Sequence, residues 1–168
     1  NSGIYLSSSS SNTITGNTAT DNQESGIYLD RSNNNTVSGN TATGNTYFGI
    51  IFYTSSNNTI LSNTASGNTY GIAIVNDCDS NTISGNTATG NNYGIYLESS
   101  SNTIYLNTFN NTINAWSNGA NQWNATTSQT YGHNGQTLTG LLGNIWSDYA
   151  GLDCDGDGVG DSPYNITG

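Results

Sequence analysis

The chain has 168 residues and a formal net charge of −10, yet charged side chains make up only 7% of it. Arg31 is its only Lys or Arg, which argues against nucleic acid as a partner, because proteins bind phosphates through basic side chains. No apolar run approaches the ~20 residues of a membrane span. The acidic, Lys-free composition favours an exported protein, located outside the cell or on its surface.

Residues 1–110 contain three recurring motifs. Gly-Ile-Tyr-Leu and its variants recur at intervals of 23, 23, 22 and 23 residues, beginning at Gly3, Gly26, Gly49, Gly71 and Gly94. Asn-Thr-Ile/Val begins at Asn12, Asn35, Asn58, Asn81 and Asn102. Asn-Thr-Ala, or Asn-Thr-Phe in the last copy, begins at Asn17, Asn40, Asn63, Asn86 and Asn107. Three short segments per period indicate three sides of a coil, and repeats of this kind define solenoids.

Apolar residues within the repeats recur at spacing two, which indicates strands rather than helices. On the first side, the residues expected to point inward are Ile4, Leu6, Ile27, Leu29, Ile50, Phe52, Ile72, Ile74, Ile95 and Leu97. The other two sides supply Ile14, Val37, Ile60, Ile83 and Ile104, and Ala19, Ala42, Ala65, Ala88 and Phe109. The predicted fold is all-β: a parallel β-helix of about five 22–23-residue coils. One coil could not stay folded alone, so the stack is the folding unit.

Asn recurs between the strands, in columns such as Asn17, Asn40, Asn63 and Asn86. We expect these side chains to form ladders at the corners, with each amide bonded to the backbone of a neighbouring coil. The chain begins at Asn1 in the middle of a repeat, which suggests a piece of a longer precursor. The sequons at Asn34, Asn57, Asn110, Asn124 and Asn165 agree weakly with glycosylation of an exported protein.

Aromatic residues mark the outward column of the first side. That column contains Tyr5, Tyr28 and Tyr96, interrupted by Ile51 and Ala73, and Tyr53 lies beside it. Exposed tyrosines on a flat sheet can stack on polysaccharide, or pack against neighbouring copies or domains of the same surface protein. Tyr also simply suits strands, and this alternative remains open.

Threonine dominates the outward positions of the other two sides. The third side reads Thr-Ala-Thr or Thr-Ala-Ser in four successive coils, with its outward residues at Thr18, Thr20, Thr41, Thr43, Thr64, Ser66, Thr87 and Thr89. The second side presents Thr13, Thr36, Thr59, Thr82 and Thr103. The regular Thr-x-Thr pattern is similar to the surfaces of ice-binding solenoids. The preference of Thr for strands explains it equally well.

Carboxylates do not cluster as catalysis requires. Asp30 and Glu98 follow the first side in coils that are three apart, so about 14 Å separates them. Glycoside hydrolysis uses two carboxyls about 5–10 Å apart. Asp77 and Asp79 are close together but have no general base nearby. We therefore expect no catalytic residues and no enzyme activity.

Two cysteines permit one disulfide. Cys78 lies in a turn one residue longer than its predecessors, and Cys154 lies in the acidic C-terminal stretch. An exported location favours oxidation, so the sequence predicts a Cys78–Cys154 bond that fastens the tail to the fourth coil.

The period is lost from about Asn111, where the region to residue 150 contains Trp116, Trp123 and Trp146. Terminal repeats of solenoids are atypical because they close the core, so residues 111–150 are interpreted as an irregular C-terminal cap. Stacking of these tryptophans on sugars is the alternative.

Residues 151–168 form an acidic loop and tail. Its candidate metal ligands match the leading positions of an EF-hand calcium loop: Asp153, Asp155, Asp157, the Val159 carbonyl and Asp161. Gly158 permits the sharp bend, but Tyr164 stands where an EF-hand has its bidentate Glu, and no helical pattern flanks the loop. A short calcium-binding loop of extracellular type fits this pattern. A solvated acidic turn without a cation is the alternative.

The coil motifs, the stretch from Gly143 to Tyr149 and the acidic stretch from Asp153 to Tyr164 resemble the NosD-like family of β-helix proteins. The coil motifs are shared with other carbohydrate-associated β-helix proteins. The resemblance covers essentially the whole chain, and it implies a right-handed parallel β-helix and an exported location. The family includes periplasmic copper-processing proteins and archaeal surface proteins, and this composition is closer to the latter. Copper sites use His, Cys and Met; with one His, two Cys and no Met, a copper site is not expected here.

These patterns together favour a non-catalytic extracellular or cell-surface module. The role predicted for it is structural or adhesive, with possible contact to polysaccharide and with a calcium-stabilised C-terminal loop. Two alternatives stay open: an ice-binding solenoid that uses its Thr columns, and an accessory domain of a polysaccharide-active enzyme.

Overall fold

The computed structural model describes all residues from 1 to 168 and contains nineteen β-strands, numbered here β1 to β19 in chain order, and no helix. Seventeen strands form three parallel sheets that run the length of a solenoid, and β17 and β18 form a separate antiparallel hairpin. No helix of the length and apolarity needed to cross a membrane is present. The predicted parallel β-helix is confirmed.

Successive coils contribute one strand to each sheet. The first sheet consists of β1 (Ile4–Ser7), β4 (Ser25–Asp30), β7 (Phe48–Tyr53), β10 (Tyr70–Val75), β13 (Tyr93–Leu97) and β16 (Ile113–Ser117). The second consists of β2 (Thr13–Thr15), β5 (Thr36–Ser38), β8 (Thr59–Leu61), β11 (Thr82–Ser84) and β14 (Thr103–Tyr105). The third consists of β3 (Thr18–Thr20), β6 (Thr41–Thr43), β9 (Thr64–Ser66), β12 (Thr87–Thr89), β15 (Thr108–Asn110) and β19 (Ile145–Trp146). The hairpin consists of β17 (Gln129–His133) and β18 (Gln136–Gly140).

The core is a column of stacked apolar side chains enclosed by the three sheets. Equivalent residues pair directly from coil to coil, as in Ile27 with Ile50 and Val37 with Ile60. All the positions predicted to point inward belong to this core; Ile4 and Leu6, in the first coil, are only partly buried. Each large apolar side chain buried in this way contributes about 1.5–3 kcal/mol before chain entropy is subtracted.

Three ladders of buried asparagines hold the corners, as predicted for the columns at Asn12 and Asn17. Asn63 shows the pattern: its backbone N–H donates to Asn86 Oδ1 at 2.8 Å, and its side-chain amide donates to the Val37 carbonyl at 2.8 Å. The third ladder was not anticipated and consists of Asn22, Asn45, Asn68, Asn91 and Asn111. Because ladder asparagines lie at both ends of β3, β6, β9, β12 and β15, the third sheet is fixed on both sides along these strands.

Cys78 belongs to a fourth ladder, which otherwise consists of serines. The Ser55 N–H donates to Cys78 Sγ at 3.0 Å, and the Cys78 N–H donates to Ser99 Oγ at 3.1 Å. Cys78 is fully buried, Cys154 is exposed, and both are free thiols. The structure therefore does not contain the predicted disulfide, because Cys78 faces the interior in the place of a ladder serine. The 23-residue spacing from Ser55 to Cys78 is the sequence signal for this role.

A glycine lies at or next to the start of the first five strands of the first sheet, because the neighbouring coil comes too close for a side chain. A Cβ on Gly49 would lie 2.6 Å from the Gly71 carbonyl oxygen and 3.0 Å from the Ala65 Cβ. The repeated Gly therefore allows the first sheet to meet the third sheet at a tight corner.

The solenoid continues beyond residue 110, contrary to the expectation that the period ends near Asn111. Strand β16 adds to the first sheet, Gln122 bridges to Thr103 of the second, and β19 adds to the third. Asn121 and Asn144 extend the first two ladders. The hairpin β17–β18 lies between these positions, so it is an insertion in a sixth coil and hides the period from the sequence.

Aromatic rings close the C-terminal end of the core. Trp146 stacks on Phe109 with ring centroids 4.9 Å apart, and Tyr164 stacks on Trp146 at 4.2 Å. The tail then returns to the first sheet, where the Ser117 N–H donates to the Thr167 carbonyl at 2.8 Å. Residues 111–150 and the tail thus combine as the cap of a single stack.

Candidate functional site

The aromatic column of the first sheet has the predicted register. Parallel pairing aligns Tyr5 with Tyr28, Tyr28 with Ile51, and Ala73 with Tyr96. One further pair, Tyr96 with Trp116, lengthens the column by a coil. Tyr53 pairs with Asp30 beside the column and is 37% exposed.

A second row of aromatic rings, which the sequence analysis missed, lies along the starting edge of the same sheet. Phe48, Tyr70 and Tyr93 stack with centroids 5.1 Å apart and interplanar angles of 20° and 15°. Tyr96 meets Tyr70 edge-on at 5.2 Å and stacks on Trp116 at 4.4 Å. The available sequence signal was the aromatic residue before the last three repeated glycines, at Phe48, Tyr70 and Tyr93.

The aromatic face is the outer surface of the first sheet and is made of two ring groups. Tyr5 and Tyr28, 5.1 Å apart, form the first group, and the second extends from Phe48 to Trp116. Between them, Ile51 is 6% exposed and Ala73 is fully buried, although both point outward. The column therefore does not present an open strip of side chains; the aromatic rings beside Ala73 cover it.

Two carboxylates border the aromatic face and accept hydrogen bonds from its phenols. Tyr96 donates to Glu98 at 2.7 Å, and Tyr5 donates to Asp30 at 3.2 Å. Arg31 also donates to Asp30, at 2.7 Å. Burial, together with the adjacent Glu98 carboxylate, raises the pKa of Tyr96 to about 12. The Tyr96 phenol is therefore a neutral hydrogen-bonding group at physiological pH.

The threonine face is the outer surface of the third sheet. Thr18, Thr41, Thr64 and Thr87 align in one column, and Thr20, Thr43, Ser66 and Thr89 align in the next. The Thr43 and Ser66 hydroxyls are 3.1 Å apart within their column. None of these side chains is charged, and two asparagine ladders flank every strand, so the face is flat, neutral and regular.

Three of the predicted calcium ligands converge in the acidic loop. Carboxylate oxygens of Asp153, Asp155 and Asp161 lie within 4.8 Å of one another, and all three residues are exposed. Asp153 accepts the N–H groups of Gly156, Asp157 and Gly158, and Asp161 accepts that of Cys154. The loop is thus closed around its own carboxylates by backbone donors.

Asp157 forms other contacts than the three converging carboxylates. One Asp157 oxygen accepts the Tyr131 hydroxyl of the hairpin at 3.2 Å, and the other accepts the Val159 N–H at 2.7 Å. Asp157 is not part of the three-carboxylate cluster. Although burial opposes it, donation from three backbone amides and the charge of His133 lower the pKa of Asp153, which keeps that carboxylate ionised.

Asp30 and Glu98 belong to different coils of the first sheet. Asp30 lies at the end of β4 and is occupied by Tyr5 and Arg31, whereas Glu98 follows β13 and is occupied by Tyr96. Register places Asp30 beside Tyr53 and Ser7 rather than beside another acid.

Comparison with protein families matches residues 1–151 to the family described as periplasmic copper-binding protein (NosD). The match covers most of the chain, so the chain belongs to the NosD family. Searches of curated proteins and of solved structures give no significant match. The family description names binding and a periplasmic location, and it names no reaction.

The residues of this chain provide few of the soft ligands that copper prefers. Copper sites use imidazole, thiolate and thioether ligands, but Cys78 is held inside the serine ladder and its burial raises its thiol pKa to about 11. The three-residue cluster of metal-ligand type consists of carboxylates alone, which suit hard cations. His133 is the single imidazole.

Proposed function

We propose that this chain is a non-catalytic module of the cell envelope that binds polysaccharide through the aromatic face of its first sheet. The NosD fold and family support the coarser statement, a non-catalytic surface or periplasmic module. The observation that carries the finer one is the presence of two groups of aromatic rings on one sheet, the pair Tyr5 and Tyr28 and the longer group from Phe48 to Trp116.

Sugar rings suit such a surface for two physical reasons. Their apolar faces pack on aromatic rings, and their hydroxyls bond to neighbouring carboxylates and phenols. The aromatic face offers both, because Asp30 and Glu98 stand beside Tyr5 and Tyr96. The rings repeat at about one coil rise, ~4.8 Å, so a long polymer can contact several coils at once and gain affinity by multivalency.

A binding assay with insoluble and soluble polysaccharides tests the proposal. The double variant Tyr28→Ala with Tyr96→Ala is expected to reduce binding at least about tenfold. The reason is that each contact between a ligand ring and an aromatic side chain contributes on the order of 1 kcal/mol. Tyr105→Ala is the matched control, because Tyr105 is half-buried on the second sheet.

Three outcomes would contradict the proposal: no binding by the unmodified protein, binding that survives the double variant, or an equal loss in Tyr105→Ala. A loss of self-association in the double variant, without polysaccharide binding, would assign the aromatic face to contacts between neighbouring copies.

We also propose that the acidic loop binds calcium. The support is the convergence of Asp153, Asp155 and Asp161 and the absence of basic side chains beside them other than His133. Hard oxygen ligands are those that calcium prefers. A bound ion would relieve the repulsion among these carboxylates and order the segment that leads to Tyr164, whose ring covers Trp146.

A second candidate function, ice binding, is favoured by the threonine face alone. Its aligned, uncharged hydroxyl and methyl columns form a regular array on a sheet fixed by two ladders. Thermal hysteresis of the unmodified protein tests it, and Thr41→Tyr with Thr64→Tyr should abolish the activity by breaking the flatness. The Tyr28→Ala, Tyr96→Ala variant should leave it unchanged. Activity in this assay without polysaccharide binding would replace the leading proposal.

A further inference from the structure

A cleft of about 940 Å³ lies at the C-terminal end of the solenoid, away from the aromatic face. Its floor is the end of the last coil, including Leu106 and Trp146. One wall is the segment that follows the hairpin, with Leu141, and the other is the acidic loop at Val159. The walls are the two segments of the chain that do not follow the repeat, and irregular segments on a rigid scaffold are where binding sites usually form.

The cleft gathers most of the exposed large aliphatic side chains of the chain. Five large aliphatic residues of the chain are exposed, and three of them, Leu106, Leu141 and Ile145, line this cleft. Ile145 is 65% exposed and Leu141 is 54% exposed. Apolar side chains concentrated in one concave place indicate a binding site, whereas single exposed ones do not.

The rim of the cleft is acidic. Asp161 lines the cleft directly. Two further carboxylates accept hydrogen bonds from tyrosines of the cleft: Asp157 from the Tyr131 hydroxyl, and Asp148 from the Tyr164 hydroxyl at 3.1 Å. The single Arg lies in the turn after β4, far along the stack. A calcium ion in the acidic loop would leave this rim negative, because the four loop carboxylates exceed the two charges of the ion.

Two phenols of the cleft already donate hydrogen bonds within the protein. The Tyr131 hydroxyl donates to Asp157, and the Tyr149 hydroxyl donates to the Ser162 carbonyl at 2.7 Å. An anionic lipid would be repelled by the acidic rim. The remaining chemistry is an apolar floor, aromatic faces and negative charge at the edge.

We propose that this cleft binds an apolar peptide segment of a partner protein that also carries Lys or Arg. Leu-sized side chains of the segment cover Leu106, Leu141 and Ile145. Its basic side chains reach the carboxylates of the rim, where opposite charges attract. The inference is independent of the polysaccharide proposal, since the two sites share no residue.

Calorimetric titration of the full chain with three short synthetic peptides, at physiological salt and with calcium present, tests the proposal. The peptides contain Leu and Lys, Leu and Glu, or Ser and Lys. Only the Leu/Lys peptide is expected to bind. Leu106→Ser and Leu141→Ser should each weaken it about tenfold, as expected for losing the burial of a large aliphatic side chain. Leu61→Ser is the matched control, because Leu61 and Leu106 are both 40% exposed and Leu61 lies outside the cleft.

The proposal is overturned by any of four results: no binding of the Leu/Lys peptide at millimolar concentration, equal binding of the Leu/Glu peptide, equal binding of the Ser/Lys peptide, or the same loss in Leu61→Ser. Equal binding of the Ser/Lys peptide would show that binding results from attraction to the net negative charge of the protein and not from the apolar cleft. Preferential binding of a neutral oligosaccharide in the cleft would also refute it.

Discussion

In the coils up to residue 110, nearly every buried side chain has an equivalent one coil away, whereas most contacts of the C-terminal end occur once. Asn40, Asn63 and Asn86 repeat the same set of hydrogen bonds. At the other end, a single stack of Phe109, Trp146 and Tyr164 covers the core.

The coils provide stability, whereas the C-terminal end is the part that can change its structure. Repetition distributes the stabilisation along the coils, so their outer faces are rigid platforms. The end combines a hairpin insertion, an acidic loop and a returning tail, each held by few contacts. Elements held by few contacts open at lower free energy than the core, so this end is where a ligand can change the structure.

The largest effect is expected from removing a ladder amide in the middle of the coils. Asn63→Ala removes the amide that donates to the Val37 carbonyl and the oxygen that accepts the Asn40 backbone N–H, and both of these groups lie in the interior. Buried groups without partners cost on the order of 1–3 kcal/mol each, so the free energy of unfolding should fall by about 3–5 kcal/mol. Urea denaturation measures this. Asn92→Ala is the control, since Asn92 is exposed; equal losses in the two variants would refute the ladder account.

A smaller and local effect is expected at the C-terminal end. Trp146→Ala removes the ring between Phe109 and Tyr164 and should cost about 2–3 kcal/mol, less than a fully buried Trp would. Limited proteolysis should then cleave the region after residue 111 while the coils stay intact. Cooperative unfolding of the whole chain by this variant would show that the two regions are not distinct.

Calcium should stabilise the C-terminal end in particular. At 100 times its dissociation constant, a ligand that binds only the native state adds about 2.7 kcal/mol. Chelator-stripped protein is therefore expected to melt at a lower temperature and to regain protection of its tail when calcium is added. Asp155→Asn with Asp161→Asn should abolish the response, and Asp77→Asn, in an exposed turn outside the loop, should retain it. An unchanged melting temperature and no heat of binding would count against the site.

The smallest effect concerns Cys78 and appears at alkaline pH. Burial raises its thiol pKa from 9.0 to about 11. The folded thiol stays protonated while the unfolded one ionises, so its contribution to stability is complete below pH 9 and declines as the pH rises from 9 towards 11. Cys78→Ser should show a shallower decline over that window. The denatured, unreduced protein should contain two free thiols, and the finding of no free thiol would support the Cys78–Cys154 disulfide instead. Equal pH dependence of stability in Cys78→Ser and the unmodified protein would contradict the burial argument.

The coils could be predicted from the sequence because every coil repeats the same physical requirements. Each of the five coils repeats the same pattern, with apolar residues at spacing two, Asn at the corners and Gly at the tight corner. Cys78 was misinterpreted because its chemistry suggested oxidation, while its position, 23 residues after Ser55, indicated a ladder.

The end could be predicted only in part, because the hairpin displaces Asn144 by 37 residues from Asn107, its ladder neighbour. Similarly, periodicity identified Tyr28 and Tyr96 but not the row of Phe48, Tyr70 and Tyr93. Those rings precede the glycine at the corner, where the alternation of inward and outward residues is interrupted.

Hydroxyl-radical footprinting of the intact chain, with and without a polysaccharide that it retains, tests the binding account most directly. Oxidation of Tyr28, Tyr70, Tyr96 and Trp116 is expected to fall when the polymer is bound. Tyr105 on the second sheet and Trp123 in the C-terminal cleft should be oxidised as before. Protection of Trp123 or Tyr105 instead, with the aromatic face still open to oxidation, would contradict the assignment of polysaccharide binding to the first sheet.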